Sequence, residues 1–296
     1  MEEQSLLSRA EIAGEGPPPL APRKAFPGMA GALMLVVLVV VLQLVGGVVM
    51  GVAGTLLEVT FWANPLLLGV LSFGSMMAAL AIALAWSPRP ARVMLALHGF
   101  SLRYLLPAFL AMAGLHLVVS ELGNLMLYLI PPPEGLQLPA QLLLGDGEAP
   151  VQAAITLVVL APIGEELLFR GAIVDGLTVR RGPVAAMVVS GVLFGLIHLT
   201  PWQGVPIIVI GVVLAWWRLA TGSVWLCVYG HAINNALVFI ATMCLPVDIP
   251  GYNAQPAEGM AFQPWWLTTA GCTLTLAGML GMGAVFRGTS RRDGAM

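Results

Sequence analysis

The sequence predicts an all-α, polytopic membrane helix bundle of about eight transmembrane helices, with the N- and C-termini cytoplasmic. Three observations predict it. The first is composition: 58% of the 296 residues are hydrophobic and 9% are charged, where globular domains carry roughly 25% charged residues. Such a chain has too little polar surface for a water-soluble fold, so the bilayer is its main solvent. The second is spacing: the charges are separated by apolar runs long enough to cross a ~30 Å hydrocarbon core, which takes about 20 residues. The third is that the cations fall on every other connection.

Taken in order, residues 1–28 hold Glu2, Glu3, Glu11 and Glu15, then the stretch GPPPLAPRKAFPG. A signal peptide needs a basic start followed closely by a short apolar core. This segment has neither and is expected to be a flexible polar tail before an uncleaved first span. The charge-free run 25–57 holds span one, near 29–53, and 59–88 holds span two, near 64–86. Span three, near 104–130, is interrupted only by Glu121, and PPPEGLQLPAQLLLGDGEAP (131–150) is a loop. Span four starts near 151 and runs through GEELLFRG to Arg180 and Arg181. The charge-free run 182–217 is broken by TPWQGVP and makes spans five and six; 219–247 holds span seven and 259–286 span eight. The chain therefore divides into the tail (1–28), spans one to three with their loops (29–148), a core carrying the chemistry (149–245), and an outer loop, last span and short basic tail (246–296).

Orientation follows from Lys and Arg, which concentrate in cytoplasmic loops. Arg9, Arg23 and Lys24 precede span one, and Arg89, Arg92 and Arg103 lie between spans two and three. Arg180 and Arg181 follow span four, Arg218 follows span six, and Arg287, Arg291 and Arg292 follow span eight. The opposite loops carry Glu58, Glu134, Asp146, Glu148, Asp248 and Glu258 and no cation. Only Arg170 lies within a span.

The net charge of −2 gives no reason to expect a nucleic-acid partner. Cys227, Cys244 and Cys272 sit in apolar runs without metal-ligand or disulfide spacing and are expected to be packing residues. No soluble domain, glycine-rich phosphate loop or convincing repeat is present. Gly47-xxx-Gly51 and Gly191-xxx-Gly195 permit close helix approach. Packing inside the bundle is the plainer reading and a dimer face the sharper one, so the oligomeric state stays open.

Ionisable side chains inside spans are costly and usually functional. Glu121 lies about 27 Å up its helix from Arg103 at 1.5 Å per residue, near the outer interface, and is set aside. His116 is expected to be a hydrogen-bonded packing residue, and Asp175, close to Arg180 and Arg181, to lie in cytoplasmic solvent. The remaining groups form three i, i+4 pairs, which share a helix face. Glu166 pairs with Arg170 in EELLFR, Phe194 with His198 in FGLIH, and His231 with Asn235 in HAINN. Glu165 points about 100° away from Glu166, so Arg170 neutralises Glu166 and leaves Glu165 free. Each pair alone has a structural reading, as a buried ion pair or as hydrogen bonds between helices. Together they supply a free carboxylate, two imidazoles and a carboxamide on spans four, five and seven.

The three motifs resemble, in order, the Glu-Glu-x-x-x-Arg, Phe-x-x-x-His and His-x-x-x-Asn motifs of the CPBP family, also called ABI. These are intramembrane proteases that include the type II CAAX prenyl endopeptidase and bacteriocin-processing and immunity proteins. The resemblance covers about 150 to 245 and implies an intramembrane endopeptidase. Its catalytic set would be Glu165, His198, His231 and Asn235, supported by Glu166, Arg170 and Phe194.

The residue types agree with that. Peptide hydrolysis needs a base for water and donors for the oxyanion. Glu165 is the candidate base, and His198 would hold the water or shuttle its proton. His231 and Asn235 could donate to the oxyanion, while Glu166 and Arg170 fix the helix geometry. The family has carried a metalloprotease label, and Glu165, His198 and His231 could be three zinc ligands with water in a fourth position. A metal-free site fits the residue types equally and is slightly preferred. The expected partners are the lipid bilayer and a membrane-associated or lipid-modified protein or peptide substrate, in a bacterial-type plasma membrane. The rival reading is a non-catalytic membrane scaffold or a transporter. Inverted repeats, which a transporter would favour, are not visible, and no motif residue is missing.

One further expectation concerns span six. Only about 18 Å of helix fits between Pro206 and Arg218, too little to cross. The connection 199–206 is therefore expected to stay inside the bilayer, with Thr200, Trp202 and Gln203 roofing the site.

Overall fold

A computed structural model describes residues 25–61, 64–133, 149–255 and 260–293, with side chains up to residue 287. Most of the expected tail, most of the 131–150 loop, and Glu134, Asp146, Glu148 and Glu258 lie outside the described residues. The described residues form eight long helical segments and no β-strand. They are α1 (Met29–Leu57), α2 (Pro65–Trp86), α3 (Leu105–Leu129), α4 (150–181), α5 (Pro183–Leu196), α6 (Pro201–Thr221), α7 (Val224–Met243) and α8 (Trp265–Asp293).

Among the described residues, six helices are long and apolar enough to cross a membrane: Met29–Leu57, Pro65–Trp86, Leu102–Leu129, Pro201–Thr221, Val224–Met243 and Trp265–Arg287. The protein is a multi-pass membrane helix bundle. α1 shows why the bilayer is needed, since Leu44, Val48, Val49, Val52 and Leu56 are 57–77% exposed on it. The two segments outside that set are α4, which carries Glu165, and α5, just past which lies His198. α4 is one continuous helical run in which α-helical Pro150–Ala154, Ala161–Glu166 and Val174–Arg181 alternate with π-helical Ile155–Leu160 and Leu167–Ile173. α5 has 14 residues, about 21 Å at the helical rise, and is too short to cross alone.

Local signals set the ends. Asn64 caps α2, its side chain accepting from Leu67 N at 3.1 Å, with Pro65 in the first turn. Gly182, at φ +82°, stops α4, and Pro183 opens α5 at the next residue, giving a one-residue hairpin. Ser223 caps α7 through Trp225 N at 3.2 Å.

The expected break at 199–206 is corrected. α6 begins at Pro201 and contains Pro206, so only 197–200 are non-helical. Proline disfavours the helical region for the residue before it and suits the first helical turn. Thr200 is extended at φ −125°, ψ 139°, and Pro201 starts the helix. With 21 residues, α6 is long enough to cross. Trp202 does not roof a loop; its indole N–H donates to the carbonyl of Ile130 after α3.

Two charges also lie elsewhere than expected. Asp175 is 7% exposed and receives Arg89 Nη1 at 2.7 Å on both carboxylate oxygens. It stands five and six residues from Arg180 and Arg181, which turns it well away from them on the helix, and it packs against the connection after α2 instead. Arg218 lies in the last turn of α6, 8% exposed, and not in a loop.

α5 and α6 pack through glycine, as one reading of Gly191-xxx-Gly195 expected. A Cβ at Gly195 would meet the Gly204 carbonyl oxygen at 2.5 Å, and one at Gly191 would meet Val212 N at 3.0 Å. Gly195→Val should therefore force the helices apart and move Phe194, costing about 1–3 kcal/mol as an overpacked contact. The check is the melting temperature in detergent; an unchanged value would mean that the α5–α6 seam yields freely.

Candidate active site

The site forms where α4, α5, α6 and α7 meet. Glu166 and Arg170 are both fully buried, with Arg170 Nη1 2.9 Å from Glu166 Oε1. Arg170 Nη2 donates to the Gly211 carbonyl at 3.2 Å, and its guanidinium lies 4.2 Å from the centre of the Phe194 ring. The expected pair is therefore made, and it ties α4 to α5 and α6. Against a ring face, cation–π attraction adds about 2 kcal/mol when the cation is desolvated.

Glu166 has a second task that residue spacing did not reveal. The same Oε1 is 2.8 Å from His231 Nδ1. The oxygen that accepts from Arg170 accepts from His231 too. Nδ1 of His231 thus carries the proton and donates it, which turns Nε2 toward Glu165, whose Oε2 is 3.8 Å away. That separation exceeds a hydrogen bond. Glu165 Oε2 is shielded and has no hydrogen-bond partner among the described residues. The two adjacent glutamates are thus divided as expected: Glu166 is consumed by Arg170 and His231, and Glu165 is not.

His198 lies in the turn just past α5, and its Nδ1 is 2.9 Å from the Phe194 carbonyl. The carbonyl can only accept, so Nδ1 is the donor and Nε2 keeps a lone pair. Phe194 stands between the imidazoles, 5.6 Å centre to centre from His198 and 5.6 Å from His231. His198 makes no hydrogen bond or ion pair with Glu165; it joins the site across the Phe194 ring.

Asn235 donates to the Leu157 carbonyl at 2.9 Å, within the first π-helical segment of α4. π-bulges recur at functional sites because the widened turn reorients backbone groups. A chain of polar contacts reaches Asn235 from behind. Tyr252 OH is 3.3 Å from His116 Nε2, His116 Nδ1 is 3.2 Å from Asn234 Oδ1, and Asn234 Nδ2 donates to Asn235 Oδ1 at 3.1 Å. His116 is thus a hydrogen-bonded packing residue, as expected. Asn234 was overlooked, although its place beside Asn235 in HAINN was the available signal.

Among the described residues, no group of three or more His, Cys, Asp or Glu side chains is arranged to hold a metal ion. In the alternative zinc set of Glu165, His198 and His231, Nδ1 of His231 is held by Glu166, which leaves Nε2 as the nitrogen a metal would take.

Residues 147–237 match a family described as type II CAAX prenyl endopeptidase Rce1-like. This part of the chain is similar to that family. The Rce1-like segment contains every motif residue from Glu165 to Asn235. Over 92 residues the chain is 29% identical to the uncharacterized protein YyaK of Bacillus subtilis (strain 168), covering 28% of this chain and 31% of that protein. The chain thus spans less than a third of that relative's length. No solved structure matches the chain.

Proposed function

We propose that the protein is an intramembrane endopeptidase that hydrolyses a peptide bond with a water activated by Glu165. The observation that carries this reading is the division between the glutamates: Glu166 is tied to Arg170 and His231, while the shielded Glu165 faces His231 Nε2 at 3.8 Å. A shielded carboxylate oxygen without a hydrogen-bond partner costs stability and needs a reason to be there.

In this reading Glu165 takes a proton from water as the oxygen attacks the scissile carbonyl. His231, its Nδ1 held by Glu166, turns Nε2 to the reacting atoms. The Asn235 N–H not spent on Leu157 donates to the oxyanion. Preorganised donors of this kind are worth about 2.7–4 kcal/mol each to the transition state. His198 holds the water through its Nε2 lone pair, and Glu165 returns its proton to the leaving amine. No step needs a metal.

The Rce1-like match supports a CAAX-type substrate, a membrane-associated or lipid-modified protein or peptide. The cations at the shared end of α2, α4, α6 and α8 support a cytoplasmic placement for that end and for both termini, in a bacterial-type plasma membrane. The reading is tested with the purified protein in liposomes and a panel of membrane-anchored peptides, with and without a strong chelator. Cleavage that survives metal removal is expected. Cleavage stopped by the chelator and restored by zinc would overturn the metal-free mechanism, and no cleavage of any peptide would overturn the protease reading.

A further inference from the structure

A second polar cluster lies at the ends of α2, α4 and α6. Arg89, Asp175, Thr178, Val179 and Arg218 line a cavity of about 260 Å³. Asp175 is engaged by Arg89 at 2.7 Å. Arg218 is 8% exposed, its Nε is shielded without a hydrogen-bond partner, and no carboxylate of a described residue lies within ion-pair distance of it. Asp175 attracts it only from beyond that distance, and a guanidinium has five donors to satisfy. Arg89 commits only Nη1 to Asp175, so it too has donors left.

Two guanidiniums and one carboxylate leave the cavity with one positive charge. The matching ligand is a monoanion whose oxygens suit a guanidinium fork, and a phosphodiester has both properties. The position fits as well. The cavity lies where membrane-spanning α2 and α6 end, and Trp86, 60% exposed at the end of α2, is the residue type that collects at the headgroup level. Val174, Val179 and Leu219 complete the wall with apolar surface, suited to the glycerol end of acyl chains. Basic pockets between spanning helices bind lipid headgroups by this chemistry.

We propose that this cavity binds the phosphodiester of a membrane phospholipid, with Arg218 as the principal donor and Arg89, steadied by Asp175, as the second. The site is separate from the chemistry at Glu165 and does not depend on it.

The test uses the full chain in neutral detergent and follows its melting temperature with phosphatidylglycerol, with diacylglycerol of the same acyl chains, and with inorganic phosphate. Phosphatidylglycerol should raise it by several degrees and the other two should not. Arg218→Gln should remove most of that rise. So should Val179→Phe, which fills the cavity and keeps both arginines, and it decides the matter if Arg218→Gln does not fold. Arg92→Gln, on the exposed connection after α2, should keep the rise. An equal rise with diacylglycerol, or one that survives Val179→Phe, would overturn the site. An equal rise with inorganic phosphate would make it a soluble-anion site and overturn the lipid assignment.

Discussion

Glu165→Gln should abolish peptide cleavage and leave the protein folded. Glutamine keeps the size and the carbonyl oxygen but cannot take a proton from water. A positioned general base is worth on the order of 10²–10⁴ in rate, so the loss should reach at least that range. Folding should survive because Glu165 makes no short ion pair: its nearest charged partner, His231 Nε2, is 3.8 Å away, and its Oε2 has no hydrogen-bond partner among the described residues. The measurement pairs cleavage of a membrane-anchored reporter with thermal stability in detergent. Full activity in a folded Glu165→Gln protein would remove Glu165 from the mechanism.

Arg170→Ala should do the reverse and strike stability first. It leaves Glu166 fully buried with only His231 beside it, takes the donor from the Gly211 carbonyl, and uncovers the Phe194 ring. Removing one partner of a buried pair costs about 3–5 kcal/mol, because the remaining charge has no solvent to replace it. The melting temperature of Arg170→Ala should fall well below those of the native chain and of Glu165→Gln. Activity should fall with it, since His231 is oriented by the same Glu166 oxygen. Equal melting temperatures for Arg170→Ala and Glu165→Gln would show that the guanidinium is solvated and that Glu166 does not depend on it.

The two outcomes discriminate because neighbouring carboxylates have different surroundings. One turn of helix decides it. Glu166 shares a face with Arg170, and Glu165 does not, so which of the two pairs with Arg170 was legible in EELLFR alone. The i, i+4 spacing likewise placed Phe194 with His198 and His231 with Asn235, and the charge-free runs marked the helical segments. These are local properties, set by the helical repeat and by the length of a chain that must cover an apolar layer.

What crosses between helices was not legible. Only packing brought the Glu166 oxygen to His231 Nδ1, 65 residues away, and so chose which imidazole nitrogen faces Glu165. The start of α6 was misplaced because Pro206 was weighed as a breaker, while Pro201, behind the extended Thr200, opens the helix. Asp175 was assigned to solvent by its sequence neighbours, but its partner is Arg89, 86 residues away. Composition and periodicity by themselves determined that this is a helical membrane protein with its buried ionisable and amide side chains on α4, on α7 and just past α5, because both act through residues a turn apart. The tertiary structure alone decided which charges are paired, because a buried charge is paired by whatever side chain the bundle brings within about 4 Å, and nothing in local spacing records that distance.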